Sequence, residues 1–314
     1  MIRRRALAVA VLVAAPAAFA ACSGGEVDAP AAVHAPSASA PASSSSPPLV
    51  VTPDGCVVGV SHAAVVSKLG FTREDPKAKG HAPGFNLDGR STDGPDPMSC
   101  GKVDMIDPGG NHVDNQLAAL IPAVEDIVGN AVDSLIQIAI DDGNLLIFLR
   151  MDGAQSLVDA PCLGFDVALG KVAKPSLGTN QEIEGYQTYD VDPAAVMSHG
   201  KGSIAGGVLG TTPFELAIPI KIFDVSFTLH IHGARFRATI DPDTGHMVGM
   251  LGGGVEIQEI IDGVAPGAGV YKILPMIKLI LKTSADMAPD ADGQCTQISS
   301  ALTFEAVPAF LRAP

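Results

Sequence analysis

The sequence predicts an α+β fold: an antiparallel, sandwich-like β body with two or three helices packed on it. Three observations lead there. First, Val225, Phe227, Leu229 and Ile231 alternate with Ser226, Thr228, His230 and His232. Second, Phe236, Ala238 and Ile240 repeat that alternation against Arg235, Arg237 and Thr239. One apolar and one polar face in successive strands describe an antiparallel sheet solvated on one side. Third, Leu117, Leu120, Ile121, Val124, Ile127 and Val128 recur at helical spacing.

The other elements follow in chain order. Residues 71–112 are rich in Gly, Pro and Asp and hold no period, so they read as irregular. Leu135, Ile136, Ile138, Ala139 and Ile140 form a second helix, ended by Gly143. Residues 145–151 are a buried strand, and residues 186–191, 202–209 and 214–222 are further short strands. Residues 223–232 and 236–240 are the alternating pair. Asp241-Pro242-Asp243-Thr244-Gly245 is a turn, and residues 246–251 return as the next strand. Residues 255–261 and 270–282 are helical, with Pro275 kinking the second. Residues 297–307 are the last strand.

The N-terminus carries the strongest address. Arg3, Arg4 and Arg5 precede a short apolar run that ends in Phe19-Ala20-Ala21-Cys22. A basic region, an apolar region and small residues before a cut describe a secretory signal over residues 1–21. The run is too short for a spanning helix, which needs about 20 apolar residues. A cysteine directly after the small residues resembles the lipobox of bacterial lipoproteins, although Phe19 stands where Leu, Val or Ile is usual. That resemblance implies that the Cys22 thiol receives a diacylglycerol and holds the protein to a membrane of the bacterial cell envelope. Ser23 stands where Asp signals inner-membrane retention in enteric bacteria, which points to the outer membrane. Residues 22–49 are mostly Ala, Pro and Ser and read as a tether. Residues 50–314 are then the folded part, with a subdivision near residue 163.

Charge narrows the partners. The chain has 34 acids, 20 bases and a net charge of −14. Loss of residues 1–21 removes three arginines and no acid, which makes the mature chain more acidic still. Such a surface repels phosphate backbones and anionic lipid headgroups as a whole, so nucleic acid is not expected as a partner. There are five cysteines. Lipid consumes Cys22, and the other four can form two disulfides in an oxidising compartment. Closing the shorter loops pairs Cys56 with Cys100 and Cys162 with Cys295.

Two clusters could ligate metal. His230 and His232 point the same way from one strand face, and His246 across the hairpin could join them. Arg235 and Arg237 on the same polar side oppose a dication there. Asp286, Asp290, Asp292 and Gly293 suggest a calcium loop, with Ala288 in place of the first acid and Ser299 in place of the closing Glu. No cofactor other than calcium is implied. Gly200-Lys201-Gly202-Ser203-Ile204-Ala205 matches a dinucleotide loop loosely, but Gly206, Gly207 and Pro213 leave no helix to follow it. Ser61-His62 is no catalytic pair by adjacency alone, and no nucleophile-elbow, P-loop or zincin motif occurs.

Gly110-Asn111-His112-Val113-Asp114-Asn115-Gln116 leads into a helix, and residues 285–295 lead into Ser299-Ser300-Ala301-Leu302-Thr303-Phe304-Glu305. Across residues 105–310 the chain resembles a group of uncharacterised exported proteins of myxobacteria, a resemblance that implies no activity. The expectation is a non-enzymatic, lipid-anchored envelope protein that binds or assembles with a protein or hydrophobic ligand. The alternatives are a carrier of a hydrophobic ligand and a metal-dependent hydrolase.

Overall fold

The computed structural model of the protein describes residues 50–51, 57–58, 61–128, 132–222, 225–265 and 273–312. The signal, the tether, Cys22 and Cys56 lie outside these residues. Strands β1 (Val50–Val51) and β2 (Val57–Val58) pair antiparallel. The long strand β3 (Ser61–Phe71) follows. An insertion then runs to residue 146. It holds the hairpin β4 (Met105–Ile106) and β5 (His112–Val113) and the helices α1 (Gln116–Val128) and α2 (Val132–Asp141). Strands β6 (Ile147–Asp152), β7 (Ala160–Leu169), β8 (Gln187–Asp190), β9 (Ser198–Ala205), β10 (Val208–Thr211), β11 (Phe214–Ile222), β12 (Val225–Ile240) and β13 (Met247–Glu256) come next. Helices α3 (Ile257–Val264) and α4 (Leu274–Ser284) lead to β14 (Met287–Pro289) and the final β15 (Cys295–Arg312).

These strands close into a barrel, not a sandwich. Around the wall the order is β3, β6, β7, β9, β10, β12, β13, β15 and back to β3, every pairing antiparallel. Each wall strand neighbours the next one in sequence, so the barrel is an up-and-down meander. Alternation along a strand says which face is apolar, but not whether the first and last strands meet. Here they do: β15 pairs β3 from Leu302 opposite Phe71 to Pro308 opposite Ala64. The described residues hold four helices where two or three are expected. Residue 163, near which the sequence suggests a subdivision, lies inside the wall strand β7.

Strand direction separates the connections by length. The meander alternates ends, so 153–159, 206–207 and 241–246 turn at one rim. The insertion 72–146, the connection 170–197, the β11–β12 hairpin and the segment 257–294 all leave from the other. Gly206 and Gly207, with φ of 56° and 77°, make the tight β9–β10 turn that residues with a Cβ rarely adopt. Residues 202–209, expected as one strand, are therefore two. Conversely, the expected strands 223–232 and 236–240 are joined from Val225 onward in one strand, β12, with a bulge between His232 and Arg235. Pro275 lies in the first turn of α4, where its fixed φ starts a helix and does not kink it.

Aromatic rings fill the interior. Phe236 of β12 lies 4.9 Å from Phe165 of β7, 5.7 Å from Phe304 of β15 and 6.0 Å from Phe214 of β11. Neither β7 nor β15 neighbours β12 in the wall, so these rings meet across the barrel. All four are buried. An eight-stranded barrel is just wide enough for side chains to fill, and this one uses phenylalanines to do so.

The insertion folds back over the outer wall. Phe85 lies on Gly252 of β13, where a Cβ would stand 2.4 Å from Phe85 Cδ2. Arg237 of β12 stacks its guanidinium over the Phe85 ring at 5.3 Å. Arg235 donates to the carbonyls of Asn86 (2.9 Å) and Leu87 (3.3 Å). The polar face of β12, expected to be solvated, is thus partly covered at Arg235. The same fold-back brings Cys100 to Cys295, which form a disulfide across a separation of 195 residues. Neither expected pairing, Cys56–Cys100 or Cys162–Cys295, is therefore present. Short loops close most easily in an open chain, but here tertiary docking of the insertion decides the partner. Cys162 is also disulfide-bonded.

Two outcomes follow. Phe236→Ala should cost about 3–5 kcal/mol in urea unfolding, whereas Val172→Ala, at an exposed position, should stay within about 0.5 kcal/mol. A loss at Phe236 as small as that at Val172 contradicts a ring-filled interior. Non-reducing peptide mapping should link the Cys100 and Cys295 peptides, and breaking the link with Cys100→Ser should cost about 2–5 kcal/mol. A Cys56–Cys100 peptide would overturn the docking of the insertion.

Candidate functional site

The densest buried polar cluster sits where the insertion meets β15. Asp286 follows α4 and is 5 % exposed. Its Oδ1 accepts from Ser299 N at 2.7 Å, and its Oδ2 accepts from Ser299 Oγ at 2.5 Å. Ser299 Oγ in turn accepts from Gln116 N at 2.8 Å. Gln116 opens α1, so β15 supplies the partner that the first helical N–H would otherwise lack. Asn115, at the capping place by sequence, turns its side chain elsewhere. Its Nδ2 donates to Thr72 Oγ1 and to the Pro83 carbonyl, both at 2.6 Å. Thr72 Oγ1 donates to the Ala301 carbonyl at 2.9 Å. Asn115 Oδ1 has no partner among the described residues. Beside them, Asp114 Oδ2 accepts from Leu87 N (2.6 Å) and Asp88 N (3.2 Å).

Two carboxyl groups in this cluster are perturbed. Burial pushes Asp286 up from its ordinary 3.8 to about 7; the hydrogen bonds from Ser299 oppose that rise and the charge of Asp114 adds to it. Burial likewise pushes Asp114 up to about 6, opposed by the backbone bonds and helped by the charges of Asp88 and Asp104. Perturbed carboxyls in a polar cluster are the pattern of a catalytic site, but the bonding argues otherwise. Ser299 is fully buried, and its hydroxyl donates to a carboxylate while receiving a helix N–H. No histidine enters that chain of bonds, and a serine nucleophile needs a base and an open face. The cluster clips the insertion to β15.

The expected metal residues are separated. Asp286 turns into the core, while Asp290 and Asp292 stay exposed. Asp290 Oδ1 accepts from the N–H groups of Asp292 and Gln294, each at 2.9 Å, and so closes a local turn. His230 Nδ1 engages Glu259 Oε1 of α3 at 2.8 Å, and His232 Nδ1 engages Glu215 Oε2 of β11 at 2.7 Å. His246 instead lies 3.6 Å from Glu305. Among the described residues, no group of three or more His, Cys, Asp or Glu side chains is placed to hold a metal ion. Gly200, Lys201 and Gly202 lie within strand β9, not in a phosphate loop.

A shallow groove of about 390 Å³ is lined by Lys68, Gly70, Asp133, Gln137, Val248 and Glu305, among others. Its charges are already paired: Lys68 with Glu182 (2.5 Å) and Glu305 (3.1 Å), and Asp133 with Arg73 (2.7 Å). It offers a ligand no free charge. The chain matches no family model, no curated protein and no solved structure in the comparisons made.

Both raised carboxyls bind protons more tightly in the folded chain than in the unfolded one. Their contribution to stability is full below about pH 4 and is lost as pH rises through about 6 for Asp114 and about 7 for Asp286. Asp286→Asn keeps an acceptor for Ser299 N and removes one of the two titrations. Its unfolding free energy should therefore fall less between pH 4 and pH 8 than that of the wild type. Parallel pH profiles for the two proteins count against a raised Asp286.

Proposed function

We propose that the chain is a lipid-anchored protein of the bacterial cell envelope that works by binding or assembly at its surface. The observation that carries the surface role is the filled interior. Barrels of this size that carry a hydrophobic ligand hold it inside, and here Phe165, Phe214, Phe236 and Phe304 occupy that space. The carrier alternative loses its natural cavity. The metal-dependent hydrolase alternative gains no support, because no group of three or more His, Cys, Asp or Glu side chains is placed to hold a metal ion among the described residues. What remains is the outer surface and the rim from which the four long connections leave.

The anchor rests on the Arg3–Arg5 start, the apolar run and Phe19-Ala20-Ala21-Cys22, followed by the Ala-, Pro- and Ser-rich tether. Outer-membrane placement rests on Ser23 alone. Calcium at the Asp290 turn has no support beyond the acids' spacing. The expected outcome is a chain that fractionates with membranes and carries an acylated Cys22 by intact mass. Cys22→Ala should release it or leave an uncut precursor. A Cys22→Ala protein that still carries a lipid mass sinks the assignment.

A further inference from the structure

Helix α4 presents two faces of different character. Leu281 is buried, and Leu274 and Ile277 pack against the core. The opposite face exposes Pro275, Met276, Lys278, Leu279, Lys282 and Thr283. Leu279 is 64 % exposed and Met276 is 41 % exposed, one turn apart. Lys278 and Lys282 lie four residues apart along the flank of that apolar strip. Neither lysine has an ion-pair partner among the described residues. No Asp or Glu stands anywhere between Asp262 and Asp286, in a chain whose acids outnumber its bases 34 to 20. The helix is therefore an apolar, cationic strip on an acidic protein.

We propose that α4 rests this strip on an anionic lipid surface, with Met276 and Leu279 entering the headgroup boundary. Lys278 and Lys282 extend their stems beside them and place their charges among the phosphates. Charge complementarity selects the lipid. Dimer area argues against a second copy: 11 residues make a helix about 16 Å long and 10 Å wide. One face of it covers on the order of 200 Å², against about 800 Å² per partner in a stable protein interface. A weak contact suffices if the chain is already tethered, because the tether keeps the surface at high local concentration. In that respect the inference rests on the lipid-anchor reading.

The chain contains no Trp, so Leu279→Trp in the full chain installs a single reporter. Val172→Trp, at a position 68 % exposed elsewhere, is the control. Both proteins are mixed with vesicles of equal parts phosphatidylglycerol and brominated phosphatidylcholine, and with vesicles of brominated phosphatidylcholine alone. The reporter at 279 should shift to the blue and be quenched on the anionic vesicles only, with the effect fading as salt rises. The control should keep the emission of an indole in water. Adding Lys278→Gln and Lys282→Gln should weaken the binding that the reporter reads by about 30-fold. Emission at 279 unchanged by anionic vesicles overturns the proposal, as does equal quenching at 172 and 279. A blue shift that grows with protein concentration and needs no vesicle assigns the face to a second copy instead. Intact mass at Cys22, read on the same sample, judges the anchor separately: quenching at 279 without an acyl mass keeps α4 and discards the anchor.

Discussion

The structure depends on β15 completing the wall. This strand pairs β13 along one edge from Glu256–Gln297 to Met247–Ala306, and β3 along the other. Without the second pairing, β3 and β15 would each present a row of unpaired backbone groups, an open edge that invites association with other chains. With it, the backbone of the wall is satisfied internally and the alternating apolar residues face one enclosed space. The interior then needs filling, and the phenylalanines do that. Closure therefore comes first, and the packing of the rings follows from it.

The same strand anchors the insertion. Ser299 holds Asp286 and the first N–H of α1, Ala301 receives Thr72, and Cys295 bonds Cys100. These attachments lie within a few residues of one another on β15. They place buried polar groups where desolvation is costly unless every partner is present. Asp286 meets that cost by keeping its proton to higher pH than an exposed carboxyl would. A clip built this way works best when the carboxyls are neutral and weakens as they ionise.

Much of the local structure was legible in the sequence. The helical spacing of Leu117 to Val128 corresponds to α1, and the alternation of Val225 to Ile240 corresponds to β12. The turn at Asp241 to Gly245 lies where its residues place it. Wall strand β7 was legible in the alternation of Leu163, Phe165, Val167 and Leu169 yet is absent from the expected strands. Three things were not legible. The strand β3, Ser61–Phe71, shows no clean alternation, because Ala64 to Ser67 sit where both faces of the wall are covered. Closure joins residues more than two hundred positions apart, and periodicity within a strand carries no information on that. The clip was hidden as well. Asn115 has the chemistry of a helix cap, yet its side chain serves Thr72 and Pro83 while Ser299 caps the helix from β15. Glu215 and Glu259, which engage Nδ1 of His232 and His230, come from other elements, and the spacing of the two histidines carries no information on them.

Barrel closure can be tested directly by hydrogen exchange of the β3 and β15 amides. In the closed wall β3 is bonded to its two neighbours in a staggered register: Ser61 to Val65 face β6, and Ala64 to Phe71 face β15, while residues 302–306 of β15 are paired on both edges, with β3 and β13. The amides of residues 302–306 should then exchange only through global unfolding, at the rate of the central strands β12 and β13. If alternate amides of residues 302–306 exchange quickly while β12 stays protected, the β3–β15 seam is open. The protein would then be an open sheet or sandwich, and this account of its fold would be wrong.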